Sequence, residues 1–109
     1  MKLKTKVWFE EKGKLVFGFG KSNILKAVVK YGSLNEAAKK LNMSYRSVWS
    51  HVKAIEKRFG KELVIKTKGG KSGGGAQLTQ TAKQLITKYD KLDADIKKYA
   101  DKCFKRVFK

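Results

Sequence analysis

The clearest pattern along the chain lies between residues 33 and 60, where apolar positions repeat with helical spacing in two successive blocks. The first block is short and rich in alanine, and the second repeats at steps of four, three and four residues. Asn42 lies between the blocks, where its tolerance of a left-handed backbone suits a tight turn. The pattern predicts a helix-turn-helix, in which the second helix is held rigidly and its first turn projects outward. The predicted core positions are Ala37, Ala38, Leu41, Met43, Val48, Val52, Ile55 and Phe59.

Capping residues bound both helices of this motif. Ser33, followed by Glu36, forms the S-x-x-E pattern that is typical of a helix N-terminus. Ser44 is expected to cap the second helix, and Gly60 is expected to end it. The second helix, which is called the recognition helix in such a motif, is therefore predicted over residues 44–59.

Alternation of apolar and polar residues marks the region before the motif. Residues 2–9 and 14–19 alternate, and residues 10–13 between them have the composition of a turn, so the pattern predicts a β-hairpin. A helix is predicted from Ser22 to Tyr31, and Gly32 stops it. The stripe of this helix that we expect to face the core is Ile24, Leu25, Val28 and Val29.

A strand, a glycine-rich loop and a second strand follow the recognition helix. Residues 63–68 predict a strand with Leu63 and Ile65 on one face. The segment GGKSGGGA is too rich in glycine for regular structure, and the short segment 77–79 can pair back on the first strand. This arrangement is typical of a wing, and Thr79 is predicted to cap a final helix.

The final helix, predicted over residues 80–107, carries a heptad pattern for about three repeats. At about 1.5 Å per residue it is roughly 40 Å long, more than a body of this size can cover. Its outer half therefore needs a partner, and a second copy of the chain is the simplest one. A helix that folds back along its own domain is the alternative. The seam starts at Ala82, and the predicted dimerisation residues on it are Leu85, Tyr89, Leu92, Ile96, Tyr99 and Cys103.

Composition adds a strong positive charge to this picture. The chain has 109 residues, enough for one domain, and a formal net charge of +18 at pH 7. Such an excess favours a polyanionic partner, of which nucleic acid is the first candidate and an anionic membrane the second. Composition bias or adaptation to heat is an alternative origin for part of the lysine content. No apolar run is long enough to cross a bilayer and no signal-peptide core is found, so we expect no membrane and a cytoplasmic location.

Candidate chemistry is sparse. G-K-S occurs at residues 20–22 and 70–72, but neither copy is preceded by the glycine that a P-loop requires. His51 is the single histidine and is expected on the surface of the recognition helix, near phosphate. Cys103 is the single cysteine, which excludes an intrachain disulfide and suits a reducing cytoplasm. Without a carboxylate pair, a nucleophile–base pair or a ligand cluster, we expect no enzyme activity, no metal and no cofactor.

Three segments carry a resemblance to a known family: GSLNEAAKKLNMSYRSVW, FGKELV and GGKSGGGAQLTQTAKQLI. Over about residues 3–105 the chain resembles the N-terminal DNA-binding domain of the molybdate-responsive ModE-type regulators, distant relatives of the LysR-type winged helices. The resemblance implies DNA binding. Full-length regulators of this type carry molybdate-binding domains that are not matched before Lys109, so we expect no molybdate binding.

In a helix-turn-helix the first turn of the recognition helix reaches the base edges. Arg46 is the only arginine there, and its fork can read guanine O6 and N7 in the major groove. Trp49 either stacks on a sugar or a thymine methyl, or is buried against the wing or the first helix. Lysines of the helix and the wing suit phosphates. The predicted DNA-binding residues are Ser44, Tyr45, Arg46, Ser47, Trp49, Ser50, Lys53, Lys66, Lys68 and Lys71.

The predicted fold is mostly α with small β: a winged helix-turn-helix over residues 1–79 and a long dimerisation helix over 80–109. The first unit comprises the hairpin 2–19, the helix-turn-helix 33–60 and the wing 63–79. We interpret the chain as a homodimeric regulator of transcription, prokaryotic and nucleoid-associated, with double-stranded DNA and a second copy of itself as partners. The alternatives are a weakly specific architectural DNA-binding protein and a protein-interaction module that uses the long helix.

Overall fold

The computed structural model describes residues 1–67 and 75–109. Two antiparallel sheets of two strands each accompany four helices in these ranges. In chain order the elements are β1 (Trp8–Glu11), β2 (Lys14–Gly18), α1 (Phe19–Tyr31), α2 (Leu34–Leu41), α3 (Tyr45–Phe59), β3 (Val64–Thr67), β4 (Gly75–Leu78) and α4 (Gln80–Val107).

The N-terminal hairpin is shorter than the alternation predicted. Residues 2–7 are not in a strand, because β2 gives way to α1 at Phe19 and leaves them without a neighbouring strand. The turn is also tighter than expected, since only Lys12 and Gly13 form it. Both have positive φ (52° and 76°), as the twist of a two-residue hairpin turn requires. The residues before them, Glu10 and Glu11, therefore belong to β1 and not to the turn.

Helix α1 begins at Phe19, three residues before the predicted start, and ends as predicted at Gly32, whose φ is 73°. The predicted stripe is right except for Val29, which is 54% exposed. Val29 lies 100° around the helix from Val28, outside the face that packs against α2, α3 and α4. Ala27 is buried on that face instead.

The helix-turn-helix is confirmed with its predicted caps. Ser33 Oγ accepts a hydrogen bond from the Glu36 amide at 3.0 Å, and Ser44 Oγ accepts one from the Ser47 amide at 3.0 Å. Asn42 ends α2 in the left-handed conformation, with φ of 57°. Local hydrogen bonds thus fix the N-terminus of each helix, and the left-handed Asn42 fixes the turn between them.

The core lies between the hairpin and the helices α1, α2 and α3, and buried residues of β3, β4 and the first half of α4 extend it. Phe59, predicted to be a core residue, is 37% exposed, and its ring is nearly perpendicular to the Phe17 ring, with 6.5 Å between centroids. Leu41 and Met43 are half-buried at the border of the core. The largest fully buried side chains are Phe17, Leu25, Val28, Val48, Val52, Ile55 and Leu63.

Strands β3 and β4 pair with Val64 opposite Leu78 and Thr67 opposite Gly75. Leu63 and Val64 are both buried whereas Ile65 is 45% exposed, so the predicted Leu63/Ile65 face is wrong. The reason is that Leu63 precedes β3, outside the alternation of the strand, and only from Val64 onward do successive side chains point to opposite faces.

Helix α4 begins after the predicted Thr79 cap, whose hydroxyl oxygen accepts a hydrogen bond from the Ala82 amide at 3.2 Å. It extends beyond the rest of the molecule, and the long axis of the whole molecule measures 58 Å. None of the helices in the described ranges combines the length and the apolar character needed to cross a membrane.

Candidate nucleic-acid interface

The first turn of α3 projects from the body of the protein. Tyr45, Arg46 and Ser50 are exposed, while Val48 and Val52 of the same helix are fully buried. The exposed face therefore sits on a helix whose opposite face is fixed in the core. This is the geometry that presents side chains to a DNA groove.

An aromatic–lysine cluster joins α3 to β3. It consists of Tyr45, Trp49 and Lys53 from the helix and Lys66 from the strand. The Lys66 ammonium lies 4.0 Å from the centroid of the Trp49 ring and 5.3 Å from that of Tyr45, and Lys53 lies 4.4 Å from Trp49. Cations at such distances over an aromatic face are attracted to it. The fold thus brings four predicted DNA-binding residues together, with Trp49 half-buried beside the strand.

Glu56 holds the start of β3 against α3 and was missed by the sequence analysis. Its Oε2 accepts hydrogen bonds from the amides of Leu63 (2.8 Å) and Val64 (3.2 Å), and its Oε1 lies 3.1 Å from the Lys53 ammonium. Burial of Glu56 raises its pKa, but the two amide hydrogen bonds and Lys53 outweigh burial and hold the pKa below its usual value. The sequence did contain a signal for this role, because Glu56 is an acidic residue on the apolar face of an otherwise basic helix.

His51, which we expected on the surface of the recognition helix, lies where α3 meets α1. It is partly buried, and its Nδ1 lies 3.1 Å from the Lys21 ammonium of α1. Burial and the neighbouring Lys21 charge lower the pKa of His51. Burial and the Arg58 charge likewise lower the pKa of Lys21. His51 therefore serves as a neutral acceptor for Lys21, and its side chain connects α3 to α1.

Other predicted residues lie apart from this cluster or outside the described residues. Ser44 and Ser47 contribute to the helix cap, as given above. Lys68 and Lys71 lie outside the described ranges. Among residues 1–67 and 75–109, no three His, Cys, Asp or Glu side chains are grouped closely enough to hold a metal ion.

The predicted dimerisation residues divide into two groups along α4. Leu85 is half-buried against the core, and Tyr89 is buried. Leu92 and Ile96 are 40% and 37% exposed. Tyr99 is exposed and Cys103 is half-buried.

Comparison with known proteins places the chain in a family. The family model described as "Bacterial regulatory helix-turn-helix protein, lysR family" matches residues 21–83. The chain is 41% identical over 70 residues to the transcriptional regulator ModE of Haemophilus influenzae. The aligned region covers 64% of this chain and 28% of that protein. It is 37% identical over 70 residues to the DNA-binding transcriptional dual regulator ModE of Escherichia coli K12, over 64% of this chain and 27% of the relative. The matched region is thus little more than a quarter of either relative.

Solved structures with the same fold include DNA complexes. A complex of the CbnR DNA-binding domain with DNA matches with a TM-score of 0.61 and 20% identity, over 84% of this chain and 99% of that one. The complex of the BenM DNA-binding domain with benA site 1 DNA matches with a TM-score of 0.56 and 19% identity, over 81% and 92% of the two chains.

Proposed function

Because the chain belongs to the lysR family of bacterial regulatory helix-turn-helix proteins, we propose that it binds double-stranded DNA sequence-specifically and regulates transcription as a homodimer. The function involves no catalysis and is exercised at the nucleoid, in the cytoplasm of a prokaryotic cell. Its two functional units are the winged helix-turn-helix of residues 1–79 and the dimerisation helix of residues 80–109.

The observation that carries this proposal is the exposed first turn of α3 on a helix whose other face is buried. Arg46 is exposed in that turn, and its guanidinium reads a guanine in the major groove. Tyr45, Ser47 and Ser50 contact neighbouring bases or the backbone. Ser44, whose oxygen already accepts the Ser47 amide, keeps its hydroxyl proton for a phosphate or a base.

The aromatic–lysine cluster supplies the adjoining backbone contacts. In the free protein the ammonium groups of Lys53 and Lys66 lie over the Trp49 ring. On DNA, a phosphate attracts both cations more strongly than the ring does, because it carries a full negative charge. The lysines then move to the backbone, and the freed face of Trp49 stacks on a sugar or a thymine methyl. Lys68 and Lys71 of the wing add phosphate contacts.

Two copies joined through α4 place their recognition helices in successive major grooves. The half-sites are then roughly 34 Å apart on an approximately palindromic sequence. Once one recognition helix is bound, the binding of the second is effectively intramolecular, so the dimer binds a full site more tightly than a monomer binds a half-site.

The test compares Arg46→Ala with Arg58→Ala, an exposed arginine at the other end of α3. Arg46→Ala is expected to weaken binding to the best site by about 1–3 kcal/mol and to relax preference at one base pair. Arg58→Ala is expected to affect specific and random DNA alike. Affinities come from fluorescence anisotropy, with the best site selected from a random DNA pool. Equal losses for Arg46→Ala on both DNAs would reduce its role to a phosphate contact.

The net charge of +18 favours a second candidate, a weakly specific architectural DNA-binding protein. The ratio of affinities for the best site and for random DNA separates the two functions. A regulator should reach a ratio on the order of 10³ or more, and an architectural protein far less. Absence of any DNA binding at physiological salt would contradict both functions and favour a protein-interaction module.

A further inference from the structure

A cavity of about 660 Å³ opens between the hairpin, the start of α1, the α2–α3 turn and the recognition helix. Its volume is in the range of small-molecule sites, about 300–1,000 Å³. The lining includes His51 from α3 and Met43 from the turn, so the cavity borders the recognition helix without including its first turn. None of the side chains proposed above to contact DNA lines it.

Large apolar side chains form the walls of this cavity while remaining open to solvent. Trp8 is 51% exposed, Leu15 49% and Phe19 58%. They come from three neighbouring elements and converge on one concave surface, unlike apolar residues scattered singly over a surface. Such a concave apolar surface suits an aromatic or branched aliphatic group, whose binding would remove the apolar area of these side chains from water.

The polar side of the cavity is basic. Lys6, Lys21 and His51 line it, and none of the lining residues is acidic. In the described residues, no carboxylate forms an ion pair with Lys21. The Lys21 ammonium instead lies beside the neutral His51 ring, and the positive charge of Arg58 repels the Lys21 charge. An anion entering here would offset an uncompensated positive charge that is already partly removed from water.

We propose that this cavity binds a small organic anion, a carboxylate with an aromatic or branched aliphatic body. The carboxylate accepts hydrogen bonds from the Lys21 ammonium, and the body packs against Trp8, Leu15 and Phe19. A second copy of the chain is a poorer occupant, because its projecting apolar segment, the end of α4, carries more lysine and arginine than acid. This inference is independent of the proposed DNA binding and is tested without DNA.

The test is titration of the ¹⁵N-labelled full chain, with phenylacetate and 4-methylpentanoate as probes and phenylacetamide as the uncharged analogue of the first. The proposal expects saturable shifts of the Trp8 indole N–H and the Gly20 amide with the carboxylates. It also expects at least tenfold weaker binding of phenylacetamide, which lacks the charge. Absence of saturation below about 10 mM for both carboxylates would overturn the proposal, as would equal affinities for phenylacetate and its amide.

Matched variants locate the two halves of the site. Lys21→Gln should weaken the binding of phenylacetate about tenfold, or by about 1.4 kcal/mol, and leave the binding of phenylacetamide unchanged. Leu15→Ser should weaken the binding of both compounds, since it removes part of the apolar wall. Lys30→Gln makes the same charge change at an exposed position near the other end of α1 and should change neither affinity. Equal losses in Lys21→Gln and Lys30→Gln would show only non-specific attraction to a basic surface and would overturn the proposal.

Discussion

The two halves of α4 share one heptad pattern but lie in different surroundings. In the inner half, Ala82 is fully buried and Tyr89 is 3% exposed. The Tyr89 ring packs edge-on against Phe17 at 5.2 Å between centroids, and its hydroxyl donates to the Val7 carbonyl at 2.9 Å. In the outer half, Leu92 and Ile96 occupy equivalent seam positions and are 40% and 37% exposed.

This difference shows that a periodic apolar seam specifies a buried face without specifying what covers it. The hairpin and α1 contact α4 at Tyr89 and Asp90, and the N-terminal residues 2–5 lie beside Lys97, Ala100 and Asp101 farther along the helix. Between and around these contacts Leu92 and Ile96 of the same pattern stay partly exposed, at a cost in free energy that burial against a second helix would remove. The inner half is therefore expected to determine the stability of the protomer, and the outer half the association of two protomers.

The largest expected effect is on association. Leu92→Asp combined with Ile96→Asp should convert a dimer into a monomer, because each side chain gains roughly 1.5–3 kcal/mol when it is buried across the seam. The monomer should keep its helix-turn-helix and bind a half-site weakly. Sedimentation at micromolar concentration measures the change. A wild-type chain that sediments as a monomer and still binds palindromic DNA tightly would contradict the assignment of the outer half.

Next in size is truncation of the inner half. Tyr89→Ala should lower the free energy of unfolding by about 3–5 kcal/mol, since it leaves a cavity beside Phe17 and an unpaired Val7 carbonyl. The matched control is Tyr99→Ala in the monomeric Leu92→Asp, Ile96→Asp background. In that background, loss of the exposed Tyr99 ring should change the free energy of unfolding by no more than about 0.5 kcal/mol. Urea unfolding of both variants gives the comparison, and similar losses at the two tyrosines would contradict the division of α4.

A finer change removes only the Tyr89 hydroxyl. Tyr89→Phe keeps the ring contacts with Phe17 and loses the hydrogen bond to Val7, so a loss of about 1 kcal/mol is expected at pH 7. Urea unfolding measures it. A loss as large as that of Tyr89→Ala would mean that the hydroxyl, and not the ring, anchors the inner half.

The same variant tests the alkaline behaviour of the inner half. Burial, and after it the Asp93 charge, raises the pKa of Tyr89 above its usual 10.0. Above pH 10 the unfolded chain releases this proton first, so the stability of the wild type relative to Tyr89→Phe should fall as pH rises through the folded-state pKa. The difference between the two proteins should be constant below pH 10. A difference that does not change on the alkaline side would contradict burial of the phenol.

The smallest effect is expected at the ion pair that joins α1 to the inner half. Lys26 and Asp90 are 2.9 Å apart, with side chains 45% and 51% exposed. A double-mutant cycle with alanine at both positions should give a coupling of about 0.2–1 kcal/mol that weakens with added salt. A larger coupling that is insensitive to salt would indicate that this pair, and not Tyr89, fastens α4 to the body.

Much of the fold could be predicted because its signals are local. Ser33, Ser44 and Thr79 cap their helices as predicted, and Asn42 adopts the left-handed turn. Errors arose where a neighbouring element decided the outcome. The alternating residues 2–7 have no strand beside them, and Leu63 enters the core from outside the strand whose face it was expected to share.

The candidate site was predictable in its members but not in their contacts. The position of the recognition helix identifies Arg46 as a base-reading candidate, because helix geometry sets which turn projects. The placement of Lys66 over the rings of Tyr45 and Trp49 depends on how β3 crosses α3, which no local signal encodes. Glu56 and the Lys21–His51 pair were missed for the same reason, since their partners are distant in sequence or supplied by the backbone.

By itself the sequence determined the helix-turn-helix, its caps, the long seam and the basic character of the chain. These depend on spacing, on residue type and on charge, which act over one or two helical turns or on the chain as a whole. Only the tertiary structure decided where along α4 burial stops, which side chains surround Trp49 and that a basic apolar cavity lies beside the recognition helix. These features arise where elements distant in sequence meet, and the length and direction of one element set the surroundings of the other.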